Sequence, residues 1–123
     1  MDRIFPLVGS AVAMVWGIAH IVPAGAVVRG FGPLSDDNRR IVLMEWIAEG
    51  CTLVFIGVLS AAVTLSGGSE GCTKGIVYVL SSAMLFGMAV LTLFTGARTS
   101  SMPMKLCPAV KTLAAVLIVL GVV

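Results

Sequence analysis

The stretch Ile41 to Leu65, IVLMEWIAEGCTLVFIGVLSAAVTL, decides how the chain is read. It is long enough to cross a hydrocarbon core of about 30 Å, yet it carries two glutamates, Glu45 and Glu49, on successive turns. Its helix is expected to begin at Asp36, because Ser35 can cap the first amides and Asp36 and Asp37 suit the positive end of a helix. The run Ser66-Gly67-Gly68-Ser69 marks its end.

Working outward, three further apolar segments appear: Ile4 to Val22, stopped by Pro23; Ile76 to Ala97; and Ala109 to Val123. The last is short for a crossing, so it either begins near Met104 with Pro108 in its first turn or runs past Val123. The composition agrees with a lipid solvent. Of 123 residues, 59% are hydrophobic and 11% charged, and the mean hydropathy is +1.09. Such a chain is neither disordered, nor a coiled coil, nor a binder of nucleic acid. The expected fold is all-α, an integral membrane four-helix bundle in one domain, with helices at about 4–22, 36–65, 76–97 and 104–123. The first segment resembles a secretory leader only superficially, because its apolar stretch exceeds the usual ~7–15 residues.

Four crossings place both termini on one side. Arg3 and Lys74 lie on that side, whereas Arg29, Arg39, Arg40, Arg98, Lys105 and Lys111 lie on the other. The positive-inside bias then predicts a cell (inner) membrane protein with termini outside and the first and third loops cytoplasmic. Gly9, Ala13 and Gly17, then Gly57 with Ala61, and Ala83 with Gly87 are spaced for close helix contact, within the bundle or along a homo-oligomer seam. Cys51, Cys72 and Cys107 show no metal-binding spacing.

On the second long helix Asn38, Glu45, Glu49, Thr52, Ser60 and Thr64 share one face, which should look inward. Ser81, Met88, Thr92 and Thr95 form a weaker counterpart on the third, ending at Arg98. Glu45 lies about 6 Å and Glu49 about 12 Å beyond Ile41, too deep for Glu49 to reach water easily. An ionised group at a helix centre costs roughly 2.5–3.5 kcal/mol. At least one of the two carboxyls is therefore expected to hold a proton at neutral pH or to be paired with a cation. His20, Arg98, Trp16 and Trp46 should arrive at a similar depth and complete a ligand- or proton-binding pocket, although both tryptophans also suit a membrane interface.

No catalytic residue is assigned. A metal held by His20, Glu45 and Glu49 is compatible in ligand type, but the Glu-x-x-His spacing of di-iron bundles is absent, and a single histidine gives a haem at most one axial ligand per chain. No metal site is therefore expected, and the sequence names no cofactor. In the first loop Arg29, Asp36, Asp37, Arg39 and Arg40 are further candidates. Phe31 and Val27-Val28 would either cover the pocket or rest with the arginines on anionic headgroups.

The motif Ala48-Glu49-Gly50-Cys51-Thr52-Leu53-Val54-Phe55-Ile56-Gly57-Val58-Leu59, with the four-span order and loop lengths, resembles the DoxX-like family of small four-helix membrane proteins. The run Asp36-Asp37-Asn38-Arg39-Arg40 and Glu45-Trp46 depart from that pattern. The resemblance implies a small membrane subunit or accessory factor, in some relatives linked to quinone-dependent oxidoreductases, with Glu49 the residue carried over. The leading expectation is a binding subunit, in a homo-oligomer or larger membrane complex, whose Glu/His pocket takes a quinone, a lipid or a partner helix. The alternatives are a proton- or cation-coupled transporter using Glu45 and Glu49, and a membrane isomerase or oxidoreductase.

Overall fold

In the computed structural model, which describes residues 3–67 and 71–123, every regular element is helical. The order is α1 (Ile4–Ile21), a short α2 (Ala24–Arg29), α3 (Asp36–Leu65), α4 (Gly71–Phe94) and α5 (Met102–Val119). A 3₁₀ turn, Gly96–Arg98, follows α4, and another, Leu120–Val122, follows α5. Four of the helices are long and apolar enough to cross a membrane.

Local chemistry explains most boundaries. Ser35 caps α3, its hydroxyl accepting from the Asn38 amide at 3.2 Å, with Asp36 and Asp37 in the first turn. At the other end Ser66 is extended, while Gly68 and Ser69 of the expected stop lie outside the described residues. Helix α4 begins at Gly71, five residues before the apolar run, because a charge at Lys74 ends hydropathy without ending a helix. It stops at Phe94, where Thr95 leaves helical geometry at φ −120°, ψ −89°.

The largest correction concerns α5. It starts at Met102 with Pro103 in its first turn, so Pro108 lies in the helix interior and Lys111 well inside the span rather than at its edge. A proline needs no amide partner in the first turn, which makes Pro103 the natural starter.

Helix α1 packs mainly on α3 and also on α5, which in turn packs on α4. The α1–α3 seam is close because glycines line it. A methyl group on Gly17 would sit 2.6 Å from the Gly50 carbonyl oxygen, and one on Gly57 would sit 2.6 Å from that of Ser10. On α4 the within-bundle contact is absent: Ala83 is exposed and nothing lies within 4 Å of a Gly87 methyl position. That stripe faces outward, into a shallow groove with Ala115 and Val119.

The core joins Ala13, Leu53, Ile56, Tyr78, Leu85, Ala114, Ala115 and Ile118. Buried hydroxyls within it are mostly satisfied, with Tyr78 and Thr64 bonded at 2.8 Å and Ser82 donating to the Ala115 carbonyl at 2.8 Å. Around this thin core lies a belt of exposed large apolar side chains, among them Val15, Phe55, Leu80, Leu91 and Phe94. A surface that apolar is what a lipid-facing helix presents, because water is not its solvent.

Candidate functional site

The site is assembled from four helices, α1, α3, α4 and α5, and lies beside a cavity of about 470 Å³. Its centre is Lys111 of α5, a side chain only 1% exposed. Its ammonium group donates to the Glu49 carboxylate and, at 2.8 Å, to the Thr92 hydroxyl. Thr92 is free to accept because its own proton goes to the Met88 carbonyl at 2.8 Å. The charge that makes Glu49 expensive in an apolar span is thus answered by a more deeply buried cation with two acceptors.

His20, near the end of α1, faces the same carboxylate, its Nε2 lying 3.9 Å from Glu49 Oε1. Its Nδ1 lies 2.8 Å from the Trp16 carbonyl oxygen. A carbonyl only accepts, so Nδ1 carries a proton, and Nε2 is the ring atom turned toward the cluster. Cys107 of α5 stands opposite, with Sγ 3.8 Å from Nε2 and accepting the Trp16 indole N–H at 3.3 Å.

The two tryptophans fix this histidine. Trp46 stacks on the imidazole with ring centres 5.5 Å apart and donates its N–H to the His20 carbonyl at 2.9 Å, while Trp16 meets the ring edge-on at 5.8 Å. A second cavity of about 480 Å³ opens on the other side, lined by Trp16, Pro23, Val27, Pro103 and Leu106. His20, Trp46 and Met104 line both cavities and form the wall between them.

The structure thus brings His20, Glu49, Trp16 and Trp46 together and separates the other candidates from them. Glu45 is exposed at the rim of the cavity that Glu49 also lines, outside the contact with Lys111. Arg98 does not reach the cluster, correcting the expectation. The 3₁₀ turn carries it past the helix end, where it is exposed and its guanidinium lies 5.6 Å from the Phe94 ring centre. Asn38 is likewise exposed rather than inward.

The loop candidates Arg29, Asp36, Asp37, Arg39 and Arg40 are all exposed and line neither cavity. Nearby, the first loop folds into α2 and buries Val28 and Ala24, leaving Phe31 exposed. Three participants were not singled out from the sequence as site residues: Lys111, Cys107 and Thr92. Lys111 had the clearest available signal, a lone charge with apolar residues on both sides.

Comparison with protein families, curated proteins and solved structures finds no match to this chain. Fold and site together define an all-helical chain with four potential membrane spans, carrying a buried Glu–Lys pair and a Cys–His contact beside an apolar cavity.

Proposed function

We propose that this chain is a multi-pass membrane protein that works by binding, an accessory subunit whose cavity takes one lipid-soluble molecule with a polar head, a quinone or a lipid. The observation that carries this reading is the make-up of the cavity wall. Ile41, Val42, Met88 and Leu91 supply an apolar bed, and Glu49, Lys111, Thr92 and His20 gather polar groups at one place on it. Ligand sites combine these features, typically in volumes of roughly 300–1,000 Å³. The lipid-like outer belt supports the bilayer as the protein's solvent, and the basic residues of the first and third loops favour a cytoplasmic location for them. The outward Ala83/Gly87 stripe suits a larger membrane complex or a homo-oligomer, since small residues let helices approach closely. The resemblance of Ala48 to Leu59 to the DoxX-like pattern agrees with such a role.

The test uses the chain's two tryptophans, both of which adjoin the site. Purified protein in proteoliposomes is titrated with a decyl-chain benzoquinone while tryptophan fluorescence is followed. Saturable quenching that Ala48→Phe weakens, by filling the cavity, is expected. Quenching that rises linearly and equally in both proteins would reduce the effect to collisions in the lipid and end this reading.

A second reading is favoured by the position of His20 between two cavities: a proton-coupled transporter in which that imidazole passes protons across the wall. It requires His20→Gln to abolish pH-driven solute uptake in the same vesicles while quinone quenching persists.

A further inference from the structure

We propose that His20, Cys107 and Glu49 form a binding site for a divalent transition-metal ion of the zinc class. Imidazole nitrogen, thiolate sulfur and carboxylate oxygen are the ligand types such an ion takes. One atom from each of the three residues lies within 4.8 Å of the others. A tetrahedral zinc with ligand bonds of ~2.0–2.3 Å needs ligand-to-ligand separations of roughly 3.4–3.6 Å. The observed 3.8 Å from Sγ to Nε2 and 3.9 Å from Nε2 to Oε1 exceed this by a few tenths of an ångström. The closing movement falls to Glu49, the longest and least buried of the three.

The surroundings are also those of a metal site. Histidine ligands characteristically give their second ring proton to a carbonyl or carboxylate, which fixes the coordinating nitrogen. Here Nδ1 is held by the Trp16 carbonyl and Nε2 is presented to the other two ligands. The Trp16 indole N–H is directed at Sγ, a contact from outside the ligand set that fixes the sulfur in place. All three residues border the cavity beside Lys111, so three protein ligands would leave a fourth position open toward it, the pattern of reactive rather than structural zinc sites.

The sequence hides this arrangement because its ligands come one each from α1, α3 and α5, with no spacing motif. On binding, the thiol proton leaves to water, and thiolate and carboxylate together balance the two positive charges of the ion. Lys111 is the built-in competitor. It occupies the same carboxylate and would be displaced toward Thr92, which it already contacts.

The experiment uses the full chain in detergent, with Cys51 and Cys72 replaced by serine so that Cys107 is the sole thiol, and cobalt(II) as the probe. The expected result is a thiolate-to-cobalt charge-transfer band with the visible absorption of a tetrahedral ion, saturating at a single ion per chain and lost on adding zinc. Cys107→Ala should remove the charge-transfer band, and His20→Gln, which removes a ligand, should weaken binding by more than the roughly 10–100-fold that loss of an outer-shell partner costs. Lys111→Met should tighten it by at least about tenfold, because a cation no longer contests the carboxylate. Absence of a saturable band both with Lys111 present and in Lys111→Met, or a band that survives Cys107→Ala, overturns the proposal. Helical circular dichroism, measured on every sample, confines the comparison to folded protein. The readout involves no quinone, so this site and the lipid-ligand reading stand or fall separately.

Discussion

The Lys111 ammonium meets the Glu49 carboxylate across 62 residues of sequence, joining α5 to α3 inside the bundle. The pair is asymmetric, since the lysine side chain is 1% exposed and the glutamate 29%. Removing one partner of a buried pair strands the other, at a cost of about 3–5 kcal/mol, whereas removing both is often neutral. Glu49→Gln, which strands the fully buried lysine, should therefore lower stability by about 3 kcal/mol or more. Lys111→Met should lower it less, because Glu49 can turn to the cavity. The double variant should recover most of the loss. Thermal unfolding in detergent checks the order, and a Glu49→Gln protein as stable as the parent would show that the pair does not hold the bundle together.

The glycines make a sharper test of the α1–α3 seam. At Gly17 an added methyl meets the Gly50 backbone, which cannot rotate away as a flexible side chain would. Gly17→Ala should therefore cost about 1–3 kcal/mol from overpacking. Gly87→Ala meets open space and gains helix propensity of up to about 1 kcal/mol, so it should leave stability unchanged or raise it. The same pair of thermal melts reads both, and equal effects at the two positions would contradict the packing described.

The helices were legible because hydropathy reports lipid-crossing segments directly, and Glu49 because a carboxylate within one is costly. Depth along antiparallel helices sets His20 level with Glu45, whereas the structure has it facing Glu49, one turn further along α3. The misplaced charges lie toward span ends. Arg98 lies beyond the end of α4, and Lys111, inside the expected helix at 104–123, belongs to the bundle interior rather than to the charges of the third-loop side. Hydropathy locates the apolar middle of a span but not its polar ends, where hydrogen bonding continues. Pro103, rather than Pro108, was the better signal for where α5 begins. Cys107 joins the cluster only through tertiary packing, which no spacing within the chain encodes.

Ser60 offers a test of the polar core. Its hydroxyl is fully buried on α3, and it has no hydrogen-bond partner among the described residues. A buried hydroxyl without a partner carries a desolvation penalty of about 1–3 kcal/mol. Ser60→Ala removes that group at almost constant volume, so it should raise stability by about 1 kcal/mol. Thr64→Val is the contrast, because it strips the buried Tyr78 hydroxyl of its bonded neighbour and should destabilise by a similar amount. A loss of stability in Ser60→Ala would mean that this hydroxyl has a partner, such as an internal water.

Moving Lys111 into the bundle interior also changes the count on which orientation rests. The first and third connections, with the helix ends that flank them, keep Arg29, Arg39, Arg40, Arg98 and Lys105, against Arg3 and Lys74 on the terminal side. Five against two still favours those loops inside, since the rule counts residues near the span ends. Cys72 is exposed at the start of α4 and should react in intact cells with a membrane-impermeant maleimide. A cysteine introduced at the exposed Ser100, in the third loop, should react only after the membrane is opened, with Cys51 and Cys72 replaced by serine in that variant. The reverse labelling pattern would invert the topology and assign the cavity beside Glu49 to the opposite leaflet, while leaving every contact within the bundle as it stands.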